Sequence, residues 1–324
     1  MEKSKLFYDK KREHRTEPYK ILFTGLDGAG KTSIILTLER QLSKITKVEP
    51  TKGAQRTSFK LLGREISEWD LGGQKSYLIS YLKKPGKFFD NTEIAIYVMD
   101  ILDGSRLVES ISYLYDVVEK FRELKIFPPL NIFFHKFDPS LVKNIKLENR
   151  INDLRKEIQE TLDYKKIHFF RTSIYNPYTL MSVISKILLE LYPKSELIQK
   201  TIEEFAKKLE CEGLIIIDKN SIILGSYFKD DNSNILLSKT IAYFLTLNDV
   251  FVEMDLEEQK DQIIVKKSEN HFLFKPIIFE ERTIPYYMLI LKKHNPFDLY
   301  FINKDFPMFV NLFKDIILSQ KTNQ

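Results

Sequence analysis

The stretch Gly25-Leu26-Asp27-Gly28-Ala29-Gly30-Lys31-Thr32 decides the fold, because it contains the complete phosphate-binding loop pattern G-x-x-x-x-G-K-[ST]. The apolar residues 21–23 before it predict a strand, and the segment 33–40 after it predicts a helix. A strand, a glycine-rich loop and a helix in this order are the context in which the pattern binds phosphate. The stretch therefore predicts a site for a nucleoside phosphate.

The chemistry of the loop explains its spacing. Glycines let the backbone curl with its N–H groups pointing inward, and the following helix presents its positive N-terminal end to the same anion. Lys31 can reach the β- and γ-phosphates, and the Thr32 hydroxyl can ligate Mg²⁺. The alternative is a glycine-rich turn before an ordinary helix. The residues expected to contact the nucleotide are Asp27, Gly28, Ala29, Gly30, Lys31, Thr32 and Ser33.

The composition is that of a globular protein. Its 324 residues are enough for two domains of ordinary size, and the net charge of +5 permits contact with an acidic surface without requiring nucleic acid. We therefore predict no nucleic-acid partner. The single cysteine, Cys211, excludes a disulfide within the chain and fits a reducing compartment. We expect neither a signal peptide nor a membrane-spanning run, and we predict a cytoplasmic location.

Residues 19–193 alternate short apolar runs with longer helical patterns. This alternation is typical of βαβ units and predicts an α/β fold, a mostly parallel sheet with helices on both faces. The predicted strands are 20–24, 57–62, 65–70, 94–100, 131–135 and 166–171. The predicted helices include 31–41, 106–121, 144–162 and 177–191. Residues 1–18 are rich in charge and are predicted to form an N-terminal extension.

The pattern changes in residues 195–324, where a hairpin signal surrounds the turn residues Lys219 and Asn220. The order of predicted elements is helix, two strands, helix, three strands, helix, which predicts a second α/β domain with one antiparallel sheet. The helices are predicted at 195–209, 235–247 and 305–318. The strands are predicted at 213–218, 221–225, near 251–255 with 261–267, at 271–279 and at 284–292.

A second motif, residues 69–74, reads Trp-Asp-Leu-Gly-Gly-Gln and ends a predicted strand. Asp70 can hold a Mg²⁺-bound water near Thr32. The Gly73 N–H can approach a γ-phosphate because no side chain blocks it, and Gln74 is placed to orient an attacking water. The alternative is that this segment is only a tight turn. Downstream of a phosphate loop, the motif favours hydrolysis of the bound nucleotide.

A third motif, residues 131–138, reads Asn-Ile-Phe-Phe-His-Lys-Phe-Asp and delivers two charged side chains to the carboxyl edge of the sheet. Asp138 can accept hydrogen bonds from N1–H and the exocyclic amine of guanine, for which adenine has no matching donors. The Lys136 stem can cover one face of the base. After the next strand, the N–H groups of Ser173 and Ile174 can donate to guanine O6. The alternative is that Lys-Phe-Asp is a solvated strand end.

In this order, the motifs resemble those of small GTPases. Residues 50–53, Pro-Thr-Lys-Gly, and residues 69–74 resemble the switch segments of the Arf family, which implies that Thr51 ligates Mg²⁺ when GTP is bound. His135 stands where most small GTPases have asparagine, and the resulting His-Lys-Phe-Asp sequence is similar to that of the Rag (Gtr) GTPases. Two further segments are similar to the Rag pattern, 95–100 and 170–175.

The resemblance extends to the second half, because the element order predicted there is similar to the roadblock domain of Rag GTPases. It implies a G domain at 19–193 and a roadblock-like dimerisation domain at 195–324. The implied protein is a GTP/GDP switch with Mg²⁺ that forms a homo- or heterodimer with a second Rag-like or roadblock-containing subunit. It implies GTPase-activating and exchange factors as partners, and peripheral association with a membrane surface through a scaffold.

Several interpretations stay open at this level. The neutral imidazole of His135 either replaces the asparagine contacts to base and loop or is a structural histidine beside the loop. An active switch would use Gln74 and Lys31 as catalytic residues, and Arg56 is interpreted as a solvated charge and not an arginine finger. The alternatives are a scaffold subunit whose nucleotide is structural, an Arf-like trafficking GTPase, and a P-loop ATPase, against which Asp138 argues.

Overall fold

The computed structural model describes residues 18–62, 64–254, 262–279, 286–293, 297 and 301–318. These described residues form two compact units that divide between Leu180 and Met181. We call them the N-terminal unit and the C-terminal unit. The predicted extension, 1–18, lies outside the described residues except for Pro18. The predicted domain limits at 193 and 195 stay a prediction.

The N-terminal unit is built on one sheet of six strands. They are β1 (Tyr19–Thr24), β2 (Ala54–Leu61), β3 (Arg64–Leu71), β4 (Thr92–Asp100), β5 (Leu130–His135) and β6 (Ile167–Thr172). The order in the sheet is β2-β3-β1-β4-β5-β6, and every neighbouring pair is parallel except β2 with β3. The predicted mostly parallel sheet is confirmed, and each predicted strand overlaps an observed one.

The helices up to residue 189 are α1 (Lys31–Leu38), α2 (Leu42–Ile45), α3 (Lys75–Lys83), α4 (Pro85–Phe88), α5 (Leu107–Glu123), α6 (Ile145–Thr161) and α7 (Pro177–Leu189). Helices α1 to α6 connect these strands, and α7 follows the last strand, β6. Helix α1 ends before its predicted limit because Arg40 takes a left-handed φ of 58°, which stops the helix. Helix α6 begins where Asn144 accepts a hydrogen bond from the Leu147 N–H at 3.1 Å.

The strands of this sheet place the predicted motifs along one edge. Strands β1 and β5 are buried at every residue, as expected of parallel strands covered on both faces. In the register, Phe23 pairs with Asp70, Asp100 pairs with His135, and His135 pairs with Thr172. The carboxyl ends of β1, β3, β4, β5 and β6 therefore meet at the edge where ligands bind in open α/β sheets.

The C-terminal unit has a separate sheet in which all neighbours are antiparallel. Its strands are β7 (Gly213–Asp218), β8 (Ile223–Phe228), β9 (Ile263–Lys267), β10 (Asn270–Ile277) and β11 (Tyr286–Lys293), in the order β8-β7-β11-β10-β9. Its helices are α8 (Ser195–Lys208), α9 (Asp231–Glu253) and α10 (Phe306–Leu318), the last preceded by a π-helical turn at Phe301–Asp305. The predicted order of elements and the antiparallel sheet are confirmed.

Helix α9 is longer than predicted at both ends. It begins early because the Asp230 carboxylate caps it, accepting a hydrogen bond from the Ser233 N–H at 2.7 Å. The strand predicted near 251–255 is wrong, since residues 251–253 form the end of this helix. Residue 255 lies outside the described residues. The apolar run there continues the helical spacing of the preceding turns, and it cannot be told from a strand by composition alone.

By length and composition, α9 is the one helix in the described part of the chain that is long and apolar enough to cross a membrane. No membrane-spanning run was predicted from the sequence. Core helices pass the same test, and α9 packs on the sheet through buried side chains. Among them are Leu237, Ile241, Phe244 and Leu245.

The turn between β7 and β8 is held by a buried carboxylate. Asp218 accepts hydrogen bonds from the Asn220 N–H at 2.9 Å and the Ile222 N–H at 2.8 Å. These bonds keep residues 218–222 in the turn, so β8 starts at Ile223 and not at residue 221 as predicted.

Candidate functional site

The phosphate loop joins β1 to α1 through residues 25–30, as the sequence predicted. Gly30 has a φ of 97°, a conformation that other residues rarely adopt. A Cβ atom at this position would lie 2.6 Å from Cδ2 of His135. Glycine is therefore required both by the backbone of the loop and by the close approach of the imidazole ring.

Lys31 begins helix α1 with its side chain folded over the loop. The residue is only 5% exposed, and Nζ donates to the carbonyl oxygens of Gly25 at 2.9 Å and Leu26 at 2.8 Å. Burial lowers the pKa of Lys31 to about 8, although the charges of Asp70 and Asp27 act in the opposite direction. Carbonyl oxygens are weaker partners for an ammonium group than phosphate oxygens, so an anion in the loop would improve its environment.

The three residues predicted to ligate Mg²⁺ converge beside the loop. Thr32 Oγ1 donates to Asp70 Oδ2 at 2.6 Å and lies 2.8 Å from Thr51 Oγ1, which donates to the same carboxylate oxygen at 3.3 Å. The other oxygen, Asp70 Oδ1, is buried and has no hydrogen-bond partner among the described residues. Carboxylate and hydroxyl oxygens suit Mg²⁺, so this donor set fits the metal.

A cleft of about 180 Å³ brings the loop and the second motif together. The Asp27 N–H donates to the Gly73 carbonyl at 3.1 Å, and a Cβ atom on Gly73 would lie 2.0 Å from the Asp27 nitrogen. Only glycine allows this approach, and it carries Gln74 into the cleft. The predicted site residues that line the cleft are Asp27, Gly28, Gly30, Lys31, Thr32, Ser33, Thr51, Gly73 and Gln74.

A second cleft, of about 190 Å³, also borders the loop. Within it Lys136, whose φ is 64°, donates to Asp100 Oδ2 at 2.6 Å. Asp100 is a site residue that was not predicted from the sequence, although its place at the end of β4, beside the loop strand β1, is a signal for it. The residues that line the cleft are Leu26, Asp27, Gly28, Ala29, Asp100, Asp103, Arg106, Ser110 and Lys136.

The ends of β5 and β6 bring the predicted base-binding residues together. Ser173 Oγ donates to Asp138 Oδ1 at 2.5 Å and accepts a hydrogen bond from the Tyr175 N–H at 3.0 Å. Ile174 lies in the same turn and is partly exposed. The serine hydroxyl thus fixes the orientation of the carboxylate, because it is itself held by the backbone.

His135 connects the phosphate loop to β6. The residue is 2% exposed, its Nδ1 lies 2.9 Å from Thr172 Oγ1, and its ring lies against Gly30. Burial, helped by the charge of Lys136, lowers the pKa of the imidazole to about 4. The ring is therefore neutral near pH 7. This geometry supports the structural interpretation, while a contact to the base stays a prediction.

Arg56 is separate from these groups. It is exposed on β2, its Nε donates to Ser67 Oγ at 2.8 Å, and its guanidinium lies 5.6 Å from the ring centre of Trp69. Arg56 is not among the described residues that line the two clefts. The position agrees with the expectation that this arginine is not a finger.

Comparison with known proteins agrees with this site. Residues 20–242 match the model of a protein family described as "Gtr1/RagA G protein conserved region". Ras-related GTP-binding protein A of Dictyostelium discoideum is 26% identical over 215 residues, which are 64% of this chain and 69% of that protein. ADP-ribosylation factor-like protein 3 of Chlamydomonas reinhardtii is 37% identical over 119 residues, which are 37% of this chain and 63% of that protein. The chain thus matches less than two thirds of the length of this Arf-like relative.

Among solved structures, the Arl6 BBS3 small GTPase from Trypanosoma brucei with bound nucleotide analogue GppNp is 22% identical, with a TM-score of 0.42. The similarity covers 54% of this chain and 98% of that one. The match to the family model includes all of the predicted site residues, from Asp27 to Ile174.

Proposed function

Because the chain belongs to the Gtr1/RagA G protein family, we propose that it is a molecular switch that binds GTP or GDP with Mg²⁺ and hydrolyses GTP slowly. The observation that carries the proposal is the convergence of Thr32, Thr51 and Asp70, whose oxygens lie 2.6–3.3 Å apart. They come from the phosphate loop, the segment before β2 and the end of β3. A ligand held there would couple three segments of the chain, which is what a switch requires.

Thr32, Thr51 and Asp70 would hold Mg²⁺, which neutralises charge on phosphate oxygens when it is bound. Asp70 Oδ1 supports this assignment, because it is buried and has no hydrogen-bond partner within the part of the chain that the structure describes, and an isolated buried carboxylate oxygen is costly. The two hydroxyls are themselves held by the carboxylate, so the donor set is arranged before a ligand arrives.

Lys31 and Gln74 are the residues proposed to act on the phosphates. Lys31 keeps a positive charge at the mouth of the loop, where it stabilises negative charge that develops on phosphate oxygens. Gln74 lines the same cleft, and its amide can both donate to and accept from an attacking water. Arg106, which reaches the loop, is engaged by Asp27. We therefore expect turnover of about 10⁻⁴–10⁻³ per second until an activating partner supplies further charge.

Asp138 is proposed to select guanine. Ser173 leaves the carboxylate with acceptor capacity for two N–H donors on one edge of a base, because a carboxylate has about four lone-pair positions. Guanine offers such a pair and adenine does not. His135 would stabilise the site, because its ring contacts both Gly30 in the phosphate loop and Thr172 at the end of β6.

We propose that the C-terminal unit is roadblock-like and pairs with a second Rag-like or roadblock-containing subunit. An apolar stripe supports this assignment: Tyr243, Leu247 and Val250 on α9 and its C-cap residue Met254 recur at helical spacing and are 37–76% exposed. Strand β9 lies at the edge of the sheet, and its Ile264 is 52% exposed. A partner that covers the helix and extends the sheet would bury both. Cytoplasmic location and attachment to a membrane through a scaffold belong to the same proposal.

The test is to purify the intact chain under native conditions and identify its bound nucleotide and partner by mass spectrometry, followed by single-turnover GTP hydrolysis. We expect a guanine nucleotide, and we expect Gln74→Leu to keep it while losing hydrolysis at least about tenfold. Unchanged hydrolysis in Gln74→Leu would remove that residue from the mechanism. Bound nucleotide without turnover, even with the co-purified partner, would favour the scaffold function, and equal affinity for ATP and GTP would favour an ATPase.

A further inference from the structure

Arg106 reaches the phosphate loop from the start of α5, although it lies 79 residues away in the sequence. Its Nη2 donates to Asp27 Oδ1 at 2.6 Å, and its Nη1 donates to the Asp27 carbonyl oxygen at 3.2 Å. Its Nε donates to Glu109 Oε2 at 3.1 Å, so the first turn of α5 holds the side chain. The planar guanidinium therefore contacts both the main chain and the side chain of one loop residue, which a lysine could not do with the same geometry.

Asp27 is a loop residue whose charge needs such a partner. It lines both clefts at the loop, and its N–H donates to the carbonyl of Gly73 in the second motif. A carboxylate in a phosphate-binding loop repels phosphate oxygens, because like charges a few ångströms apart disfavour each other. A cation paired with this carboxylate would cancel most of that repulsion.

We propose that Arg106 is a positioning residue for nucleotide binding, which acts by neutralising Asp27 and holding it in the loop. The inference rests on the proposed function, since it concerns the same phosphate site. Arg106 and Asp27 have side chains that are 35% and 41% exposed, so the electrostatic part of the effect decreases with ionic strength. A different role, in which Arg106 turns to contact the phosphates itself, predicts another pattern of mutant behaviour.

The experiment measures the dissociation constant of fluorescent GDP with the full chain and Mg²⁺, at about 0.05 M and about 0.5 M salt. The variants are Arg106→Gln, Asp27→Asn and the double substitution. The control is Arg122→Gln, which makes the same charge change near the far end of α5, the helix that Arg106 caps, in an exposed pair with Glu119.

At low salt we expect Arg106→Gln to weaken GDP binding about tenfold and Arg122→Gln to leave it unchanged. On the Asp27→Asn background, the same substitution of Arg106 should change the affinity by less than about twofold. The tenfold loss should shrink at high salt, which a loss of folding would not do. Thermal unfolding of each variant is measured alongside.

Two results would overturn the inference while the proposed function stands. In one, Arg106→Gln binds GDP as tightly as the unmodified chain. In the other, the double variant is weakened as much as Arg106→Gln, which would mean that the arginine acts directly on the nucleotide. An unmodified chain that binds no GDP would instead overturn the proposed function, and this inference with it.

Discussion

The two units differ in the kind of side chain that lies in an energetically unfavourable environment. In the N-terminal unit, charged or polar groups lie inside the protein at the edge of the sheet: Lys31, Asp70 and His135 are each at most 5% exposed. In the C-terminal unit, large apolar side chains align on the surface of α9 and its C-cap residue, with Tyr243 at 76% and Met254 at 64% exposure. A bound ion or phosphate would offset the first cost, and a partner chain would offset the second. The difference supports the proposal that the first unit binds the ligand and the second pairs with a partner.

The largest expected effect is on the choice of base in the N-terminal unit. Asp138→Asn replaces a pure acceptor by a side chain that also donates, while it keeps the shape needed for the bond to Ser173. We expect affinity for GTP to fall on the order of 10³-fold, because the side-chain NH2 group of asparagine would face the N–H donors of guanine. Affinity for xanthosine triphosphate, whose oxygen replaces the exocyclic amine, should rise. Both are measured by competition with fluorescent GDP.

The matched control is Asp116→Asn, which makes the same charge change at an exposed position on α5. It should leave both affinities within about twofold. If Asp138→Asn keeps the preference for GTP, Asp138 does not read the base, and the alternative of a solvated strand end stands.

The next effect tests whether the two units respond oppositely to acid. The folded N-terminal unit lowers the pKa of His135 from 6.5 to about 4 by burial, so the unfolded chain binds the proton first as the pH falls. Stability from this group is present above about pH 6.5 and is lost on the way to about pH 4. Between about pH 7 and about pH 4.5 we expect a loss of about 2 kcal/mol.

His135→Asn should remove this pH-dependent difference, while His168→Asn, on an exposed ring of the neighbouring strand β6, should keep it. The measurement is urea unfolding followed by the fluorescence of Trp69, the one tryptophan of the chain. Equal pH dependence in His135→Asn and the unmodified chain would contradict the expectation.

In the C-terminal unit, Asp218 should change the stability with pH in the opposite direction. Burial raises its pKa from 3.8 to about 6, against the hydrogen bonds from Ile222 and Asn220. The folded chain therefore keeps this proton longer, and the stability that it contributes is present below about pH 3.8 and lost as the pH rises through about 6. The measurement is hydrogen exchange of β7 below about pH 3.8 and above about pH 6, corrected for intrinsic rates. The loss of protection between these conditions should be smaller in Asp218→Asn than in the unmodified chain. Equal loss in both chains would show that Asp218 does not titrate in this way.

The sequence predicted the N-terminal unit well because its information is local. The phosphate loop, residues 69–74 and residues 131–138 each follow a strand, and the rule that ligands lie at the carboxyl edge of a parallel sheet places them together. The contact of Arg106 with Asp27 could not be predicted in the same way. It joins a helix start to a loop 79 residues earlier, and no local pattern encodes that distance.

In the C-terminal unit, the order of elements was predictable but their limits were not. The cap at Asp230 is a local signal that the sequence analysis overlooked, whereas the turn at Asp218 depends on a buried carboxylate that only the folded chain provides. The apolar run at 250–252 fits a strand and a helix equally well by composition. In the structure α9 continues through this run, with Val250 41% and Val252 58% exposed, so the run follows the helix that precedes it.

A smaller effect is expected at the apolar stripe of α9. Tyr243→Glu should leave the free energy of unfolding within about 0.5 kcal/mol, since the side chain is exposed, but it should weaken dimerisation at least about tenfold. Sedimentation of the chain, alone and with the subunit that co-purifies, measures this. Val108→Glu is the control, because Val108 is 79% exposed on α5 of the N-terminal unit. Dimerisation of Tyr243→Glu at the unmodified affinity would end the assignment of pairing to this face.

The smallest effect concerns the opposite edge of the same sheet. Gln199 on α8 closes strand β8: its Nε2 donates to the Ser226 carbonyl at 2.8 Å, and its Oε1 accepts from the Ser226 N–H at 3.1 Å. The amide therefore occupies backbone groups of β8 that an added strand would use, whereas β9, at the other end of the strand order, is where we propose that a partner pairs. Gln199→Ala should cost about 1 kcal/mol of unfolding free energy, because water can replace these part-buried bonds only incompletely.

Lys200→Ala is the control, since it introduces the same helix-favouring residue at an exposed neighbouring position. The unfolding free energy of Gln199→Glu should lie between those of the unmodified chain and Gln199→Ala. Glutamate keeps the acceptor for the Ser226 N–H but loses the donor to the Ser226 carbonyl. Gln199→Ala should also form larger assemblies than Tyr243→Glu. The first substitution exposes the edge of β8 to strand pairing, and the second places a charge on the apolar stripe of α9. If Gln199→Ala unfolds like Lys200→Ala and stays at the unmodified size, the amide does not protect β8, and pairing need not be confined to the side of α9 and β9.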